Sequence, residues 1–226
     1  MKPEVTVLVP AFNEEKYIGS TIYGMKASGM AKRVIVVDDG SSDSTAQVAM
    51  ASGAEVLKME SNRGKGHALN CGLKNIESGI VVFIDADIGQ SSSELDKLVW
   101  PVLKGEADMT IGVLPPPLKK GGFGLVKTLV KVLVFTSTGE RLTAGLSGQR
   151  AFRREVLYDI GPVPDGFAAE IGLNIKTLKK GYRVLEVPVN MAHRETGRNL
   201  KGFIHRGRQF VEILKFYLME ARGNKW

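Results

Sequence analysis

The sequence predicts an α/β protein: a single doubly wound, mostly parallel sheet with an extension on its C-terminal side. Runs such as "VTVLV" and "RVIVV" read as buried strands. They alternate with segments of helical length at the spacing of βαβ units. Several of the runs end in polar residues, which gathers side chains at the carboxyl edge of such a sheet, where open parallel sheets bind ligands.

Taken in order, "VTVLVPAFN" (5–13) is a strand and turn, and 14–28 a helix. "RVIVVDDGSSD" (33–43) is a second strand with a polar end, followed by a short helix from Ser44 to Ser52 that Gly53 closes. "EVLKM" (55–59) is a third strand, and "SNRGKGHALNCGLKNIESG" a glycine-bearing loop and helix. A fourth strand covers 80–85, and a helix from Ser93 to Lys104 carries Pro101, which sets a kink or an end inside it. "DMTIGVL" (108–114) is the fifth strand. The pattern then changes. "PPPLKKGGFG" (115–124) cannot be regular structure and reads as a mobile loop or linker. A basic helix (125–135), a helix around 168–180, a strand "RVLEVPV" (183–189) and a final helix near 202–221 complete the chain. Residues 1–114 and 115–226 are read as two halves of one continuous domain.

Composition narrows the classes. With 43% hydrophobic and 24% charged residues the chain is ordinary for a globular protein of 226 residues. Cys71 is the only cysteine, which rules out an internal disulfide and suits a reducing cytoplasm. The start, "MKPEVTVLVPAFNEE", enters a strand pattern directly, so no signal peptide is expected. The most apolar helix, "FGLVKTLVKVLVF" (123–135), is too short to span a bilayer and carries Lys127 and Lys131. A net charge of +7 implies anionic partners. Without RNA-binding aromatic motifs or zinc-finger spacing, nucleic acid is not expected among them.

The chemistry gathers on one rim. Strand one delivers Pro10, Ala11, Asn13 and Glu14, strand two Asp38 and Asp39, and the fourth Asp85 and Asp87. Two carboxylates as close as those of "DAD" (85–87) repel unless a cation, a proton or solvent compensates them. Carboxylates can bind ribose hydroxyls or a base N–H, or hold Mg2+ or Mn2+ through oxygen, and an ion on Asp87 would bridge to a diphosphate. "PAFNEE" after strand one replaces the glycine-rich turn of dinucleotide-binding proteins, and "RGKGHA" (63–68) is not a P-loop. That loop is either an ordinary helix entry or brings Gly64 and Lys65 to phosphate.

"VPAFNEEKYIG", "VIVVDDGSSDST", "NRGKGHALN" and "FIDADI" together resemble the nucleotide-binding half of family 2-type glycosyltransferases. The resemblance implies a Rossmann-like glycosyltransferase A fold and a nucleoside-diphosphate sugar donor, UDP- or GDP-hexose. It implies that Pro10, Ala11 and Glu14 line the base and ribose pocket, that Asp39 lies near the nucleoside, and that Asp85-Ala86-Asp87 is the D-x-D metal motif. In the second half, "GLSGQRAFRREVL" (145–157) resembles polyprenyl- or dolichyl-phosphate hexose synthases. "GFAAEIGLNI" (166–175) and "VNMAHRETGRNL" (189–200) resemble glucosyl-3-phosphoglycerate synthases, the nearer relatives. These imply His193 as a third metal ligand and an acceptor side that includes Gly148, Arg150, Phe167 and Glu170. Arg150 is expected to face the site from the irregular turn "SGQR". Glu170 is an acceptor contact or catalytic base. Lys65 and Arg194 are expected to neutralise the leaving diphosphate, and Arg198 and Lys201 to hold an anionic acceptor. The segment from Pro115 to Leu142 shows no match to a phosphoglycerate-binding loop.

Three functions follow. The first is a cytoplasmic hexosyltransferase, a homodimer by family resemblance, acting on a small phosphorylated acceptor. The second is a peripheral membrane enzyme that loads a lipid phosphate, docking through the basic helix. The third is a non-catalytic nucleotide-sugar-binding or scaffold protein.

Overall fold

Seven residues from Val5 to Ala11 form β1, and only Pro10 among them is not fully buried. A strand this apolar must be covered on both faces, which places it inside a parallel sheet. β1 pairs in parallel with β2 (Arg33–Asp38) on one side and with β4 (Ile80–Phe83) on the other. β3 (Glu55–Lys58), the most exposed of these four, lies in parallel outside β2. The computed structural model describes residues 4–77, 79–116 and 125–192, together with Ile213 and Tyr217.

The crossovers are α1 (Ile18–Ala27), α2 (Thr45–Ala51) and α3 (Lys65–Leu73). After β4 a 3-10 turn (Gly89–Glu94) runs into α4 (Leu95–Leu103), which ends in the turn that follows Pro101. β5 (Met109–Val113), α5 (Leu125–Thr138), β6 (Arg150–Arg153), α6 (Arg154–Ile160), α7 (Ala169–Lys179) and β7 (Val184–Pro188) follow. The seven strands form one sheet in the order β3-β2-β1-β4-β6-β5-β7. The mostly parallel, doubly wound sheet expected from the sequence is therefore present. Among the described strands only β6 runs against its neighbours, antiparallel to both β4 and β5.

Two apolar layers enclose the sheet. Ile18, Ile22, Ala49, Leu95 and Leu98 pack on one face, from α1, α2 and α4. Leu69, Val130, Val156, Ile171 and Ile213 pack on the other, with α3, α5, α6 and α7. Of the expected final helix only Ile213 and Tyr217 fall within the described residues; Ile213 is fully buried, and Tyr217 Oη lies 3.2 Å from Thr136 Oγ1. Most of the expected loop 115–124 lies outside the described residues.

Candidate active site

The carboxyl ends of β1, β2 and β4 open onto a cleft of about 620 Å³. Pro10, Ala11, Phe12 and Glu14 line it from β1, and Asp85, Ala86 and Asp87 from the loop after β4. Asn62, Gly64 and Lys65 come from the entry to α3, and Ser147, Gly148, Gln149 and Glu170 from the second half.

Two residues expected to bind the donor stand behind this wall. Asn13, in the left-handed region at φ 56, donates its N–H to Ser41 Oγ at 2.9 Å and accepts the Ser42 N–H on Oδ1 at 2.9 Å. Asp38, buried, accepts the Ser41 N–H at 3.0 Å. Asn13 thus clamps the loop after β1 to the loop after β2, while Asp38 closes a turn within its own loop, a common employment for Asx side chains. Asp39 does reach the cleft, and its two oxygens accept the N–H groups of Arg63 (2.9 Å) and Gly64 (2.7 Å). Gly64 sits at φ 93, a conformation glycine adopts at no steric cost, and so turns the chain into α3.

The centre of the cleft is a cation between two carboxylates. Lys65 Nζ donates to Asp85 Oδ1 at 2.6 Å and to Glu170 Oε1 at 2.7 Å. Burial alone would push this ammonium down, but the charges of Asp85 and Glu170 outweigh it, and its pKa lies above the usual lysine value. Gln149 completes the arrangement. Its Nε2 donates to Asp85 Oδ2 at 2.7 Å, while its Oε1 accepts the Asp85 backbone N–H at 3.0 Å. Gly148 leaves room for this: a Cβ there would collide with the Asp85 carboxylate and Lys65 Nζ.

Arg150 departs from expectation. It opens β6 rather than lying in an irregular turn, is fully buried, and does not line the cleft. Its guanidinium donates to Asn174 Oδ1 (2.5 Å), Gly145 O (3.1 Å) and Ser147 O (2.8 Å). It therefore ties the loop that carries Gly148 and Gln149 to α7, instead of meeting an acceptor. Burial pulls its pKa down to about 10, which leaves it charged at neutral pH. Glu186 of β7 holds the same loop further back, accepting the N–H groups of Thr143 (2.7 Å) and Ala144 (2.5 Å). Phe167 lies in the 3-10 turn Gly166–Ala168 before α7, and its neighbour Gly166 lines the cleft. His193, Arg194, Arg198 and Lys201 lie outside the described residues.

Comparison with known proteins decides the family. The model of "Glycosyl transferase family 2" matches residues 6–161. The chain belongs to this family. It is 34% identical to the MJ1222 protein of Methanocaldococcus jannaschii, over 86% of this chain and 84% of that one. It is 32% identical to glucosyl-3-phosphoglycerate synthase of Mycolicibacterium smegmatis, over 76% of this chain and 63% of that enzyme. A crystal structure of glucosyl-3-phosphoglycerate synthase from Mycobacterium tuberculosis with Mn2+, UDP-glucose and phosphoglyceric acid superposes with a TM-score of 0.80. It covers 99% of this chain and 81% of that one, at 29% identity. The fold is thus that of the glycosyltransferase A-like enzymes, and the protein is a glycosyltransferase.

For a family 2 glycosyltransferase the acidic rim poses the question of a metal. Asp85 is spanned by Lys65 and Gln149, and Asp87, two residues on, lines the same cleft. Among the described residues no group of three His, Cys, Asp or Glu side chains could hold a metal. The donor chemistry nevertheless fits Mg2+ or Mn2+, which bind through one or two carboxylates and complete their shell with substrate phosphate and water. Gln149, Ser147 and Asn62 were not singled out from the sequence. Nothing in an isolated amide or hydroxyl marks it as functional until the sheet brings it to the wall of the cleft.

Proposed function

We propose that the protein is a metal-dependent hexosyltransferase that moves glucose from UDP-glucose to a small phosphorylated acceptor. The observation that carries this reading is Lys65, set between Asp85 and Glu170 in the cleft that Asp87 also lines. Glycosyl transfer breaks the bond from the anomeric carbon to the β-phosphate oxygen, and negative charge grows on the departing diphosphate. A fixed ammonium in a partly water-excluded site stabilises that charge most, because it needs no reorganisation when the charge appears. Lys65 is such a group, held in place by two carboxylates and kept protonated by them. A divalent cation held by Asp87 and His193 would supply further positive charge to the diphosphate. Glu170 lines the same cleft, and in this reading it contacts the acceptor or takes its proton. The relative from Mycobacterium tuberculosis, crystallised with UDP-glucose, phosphoglyceric acid and Mn2+, supports this choice of donor and acceptor class.

One observation favours a lipid phosphate as acceptor instead. The outer face of α5 exposes Lys127, Lys131, Val132 and Phe135, a mixed basic and apolar surface suited to anionic lipid. No helix among the described residues is long and apolar enough to cross a membrane. The deciding experiment is turnover of UDP-glucose, GDP-glucose and GDP-mannose with Mg2+ or Mn2+, using 3-phosphoglycerate or a short polyprenyl phosphate as acceptor. Product with UDP-glucose and phosphoglycerate, reduced about 100-fold or more in Asp87→Ala and Lys65→Ala, is expected. Product with the lipid phosphate alone, together with flotation on anionic liposomes, would favour the second reading. Absence of metal-dependent turnover with every pair would defeat both.

A further inference from the structure

The loop that carries Asp87 is gripped from behind by a residue of α1 that does not line the cleft. Thr21 is fully buried. Its hydroxyl donates to Ala86 O at 2.8 Å and accepts the N–H of Gly89 at 2.8 Å. A single side chain thus spans the backbone on both sides of Asp87. Among the described residues its other acceptor is Tyr17 O, one turn back and longer at 3.1 Å. The main chain of Thr21 is engaged as well, since its carbonyl accepts the Ser92 hydroxyl at 2.7 Å. One turn on, a Cβ at Gly24 would collide with Ser92 Oγ and the carbonyl of Gln90. α1 is therefore pressed against the 3-10 turn that follows the acidic motif. Gly89, at φ 64, makes the bend between them.

We propose that Thr21 is a positioning residue of the donor site: its hydroxyl fixes the backbone that presents Asp87, and so sets the affinity for a divalent cation with a nucleoside diphosphate. The inference rests on the metal-dependent reading above. A carboxylate ligand contributes only as far as its backbone holds it in place, and groups that orient ligands are worth about 10- to 100-fold in metal affinity. Removing the hydroxyl takes a partner from the buried Ala86 carbonyl and the partly buried Gly89 N–H, and a buried polar group is costly to leave unpaired. The loop then relaxes to find other partners and carries Asp87 with it. Thr21→Val keeps the β-branched shape and deletes only the hydroxyl.

The test is direct Mn2+ binding, read by electron paramagnetic resonance of the free ion, with UDP and separately with GDP. Thr21→Val is expected to weaken Mn2+ binding about 10- to 100-fold, and Thr21→Ser, which restores the hydroxyl, to bind as the wild type. Thr110→Val is the control for stability alone. Its hydroxyl donates to Leu98 O at 2.8 Å, fully buried between β5 and α4 and away from the cleft. It should lower the melting temperature without changing Mn2+ affinity. If Thr21→Val does not fold, Ser92→Ala, which cuts the link to the Thr21 carbonyl, should weaken Mn2+ binding in the same direction. Unchanged binding in the variant measured, or equal weakening in Thr110→Val, overturns the inference and leaves the metal-dependent reading intact. A wild-type protein that takes up no Mn2+ with either nucleotide overturns both.

Discussion

At the scale of single residues, the site depends on an absent side chain as much as on those present. Gly148 allows Gln149 and Lys65 to close on Asp85, because a Cβ at this position would enter the space of the Asp85 carboxylate and Lys65 Nζ. Gly148→Ala should therefore displace the pair without disturbing the core. Since misplacements of about 1 Å in a reacting constellation cost on the order of 100-fold, kcat/KM should fall by about that factor. The melting temperature should stay near the wild-type value, and a variant of unchanged kcat/KM would show that the cleft tolerates the methyl group. Gly148 was legible in the sequence through its motif, whereas its neighbours were not. Successive residues of an extended strand point to opposite faces. When Gln149 turns toward Asp85, Arg150 is carried to the other side, to Asn174 on α7. The motif "SGQR" gave an arginine beside the site, but only the strand register says which way it points.

At the scale of elements, the far edge of the sheet is sewn together by one carboxylate. Asp108, just before β5, accepts the N–H of Arg183 at 2.8 Å and its guanidinium at 3.1 Å, and pairs with Arg153 of β6 at 2.7 Å. The Arg183 side chain, against the opposing effect of burial, holds the Asp108 carboxyl below the usual carboxylate range. A carboxylate whose folded pKa is depressed adds stability that is present above the unfolded value, about pH 4, and is lost as pH falls through the folded pKa. Wild-type melting temperatures should therefore drop steeply from about pH 4 downward, and Asp108→Asn should show a shallower fall across that window. At neutral pH the variant should be less stable by about 1–3 kcal/mol, the usual cost of weakening a buried charge-assisted network. Parallel acid profiles for the two proteins would move the titrating contact elsewhere. β6 itself was not read from the sequence. "RAFR" is only four residues long, and an antiparallel strand inserted between β4 and β5 leaves no trace in an alternation of strands and helices. The longer parallel strands β1 and β2 were legible because burial on both faces leaves them almost wholly apolar.

At the scale of the whole molecule, that inserted strand binds the two halves of the chain into one sheet. The strand ends that carry Glu14, Asp39 and Asp87 lie before residue 115, and the strand that brings Gln149 to Asp85 lies after it. β5, the last strand of the first half, pairs with β6 and β7, and both belong to the second half. β4 likewise loses one of its two neighbours if β6 is removed. A fragment of residues 1–114 would keep β3-β2-β1-β4 in register but leave β5 without a partner and one apolar face without the packing of Val130, Val156 and Ile171. Burial of such side chains is worth about 1.5–3 kcal/mol each, whereas whole domains are stable by only about 5–15 kcal/mol. The fragment is therefore expected not to unfold cooperatively in urea, as followed by the fluorescence of Trp100 on α4 and by circular dichroism. The full chain should give one sigmoidal transition in both signals. A sigmoidal transition in the fragment would mean that the first half is a folding unit in its own right. In that case the contact of Gln149 with Asp85 would join two separately stable parts rather than one sheet.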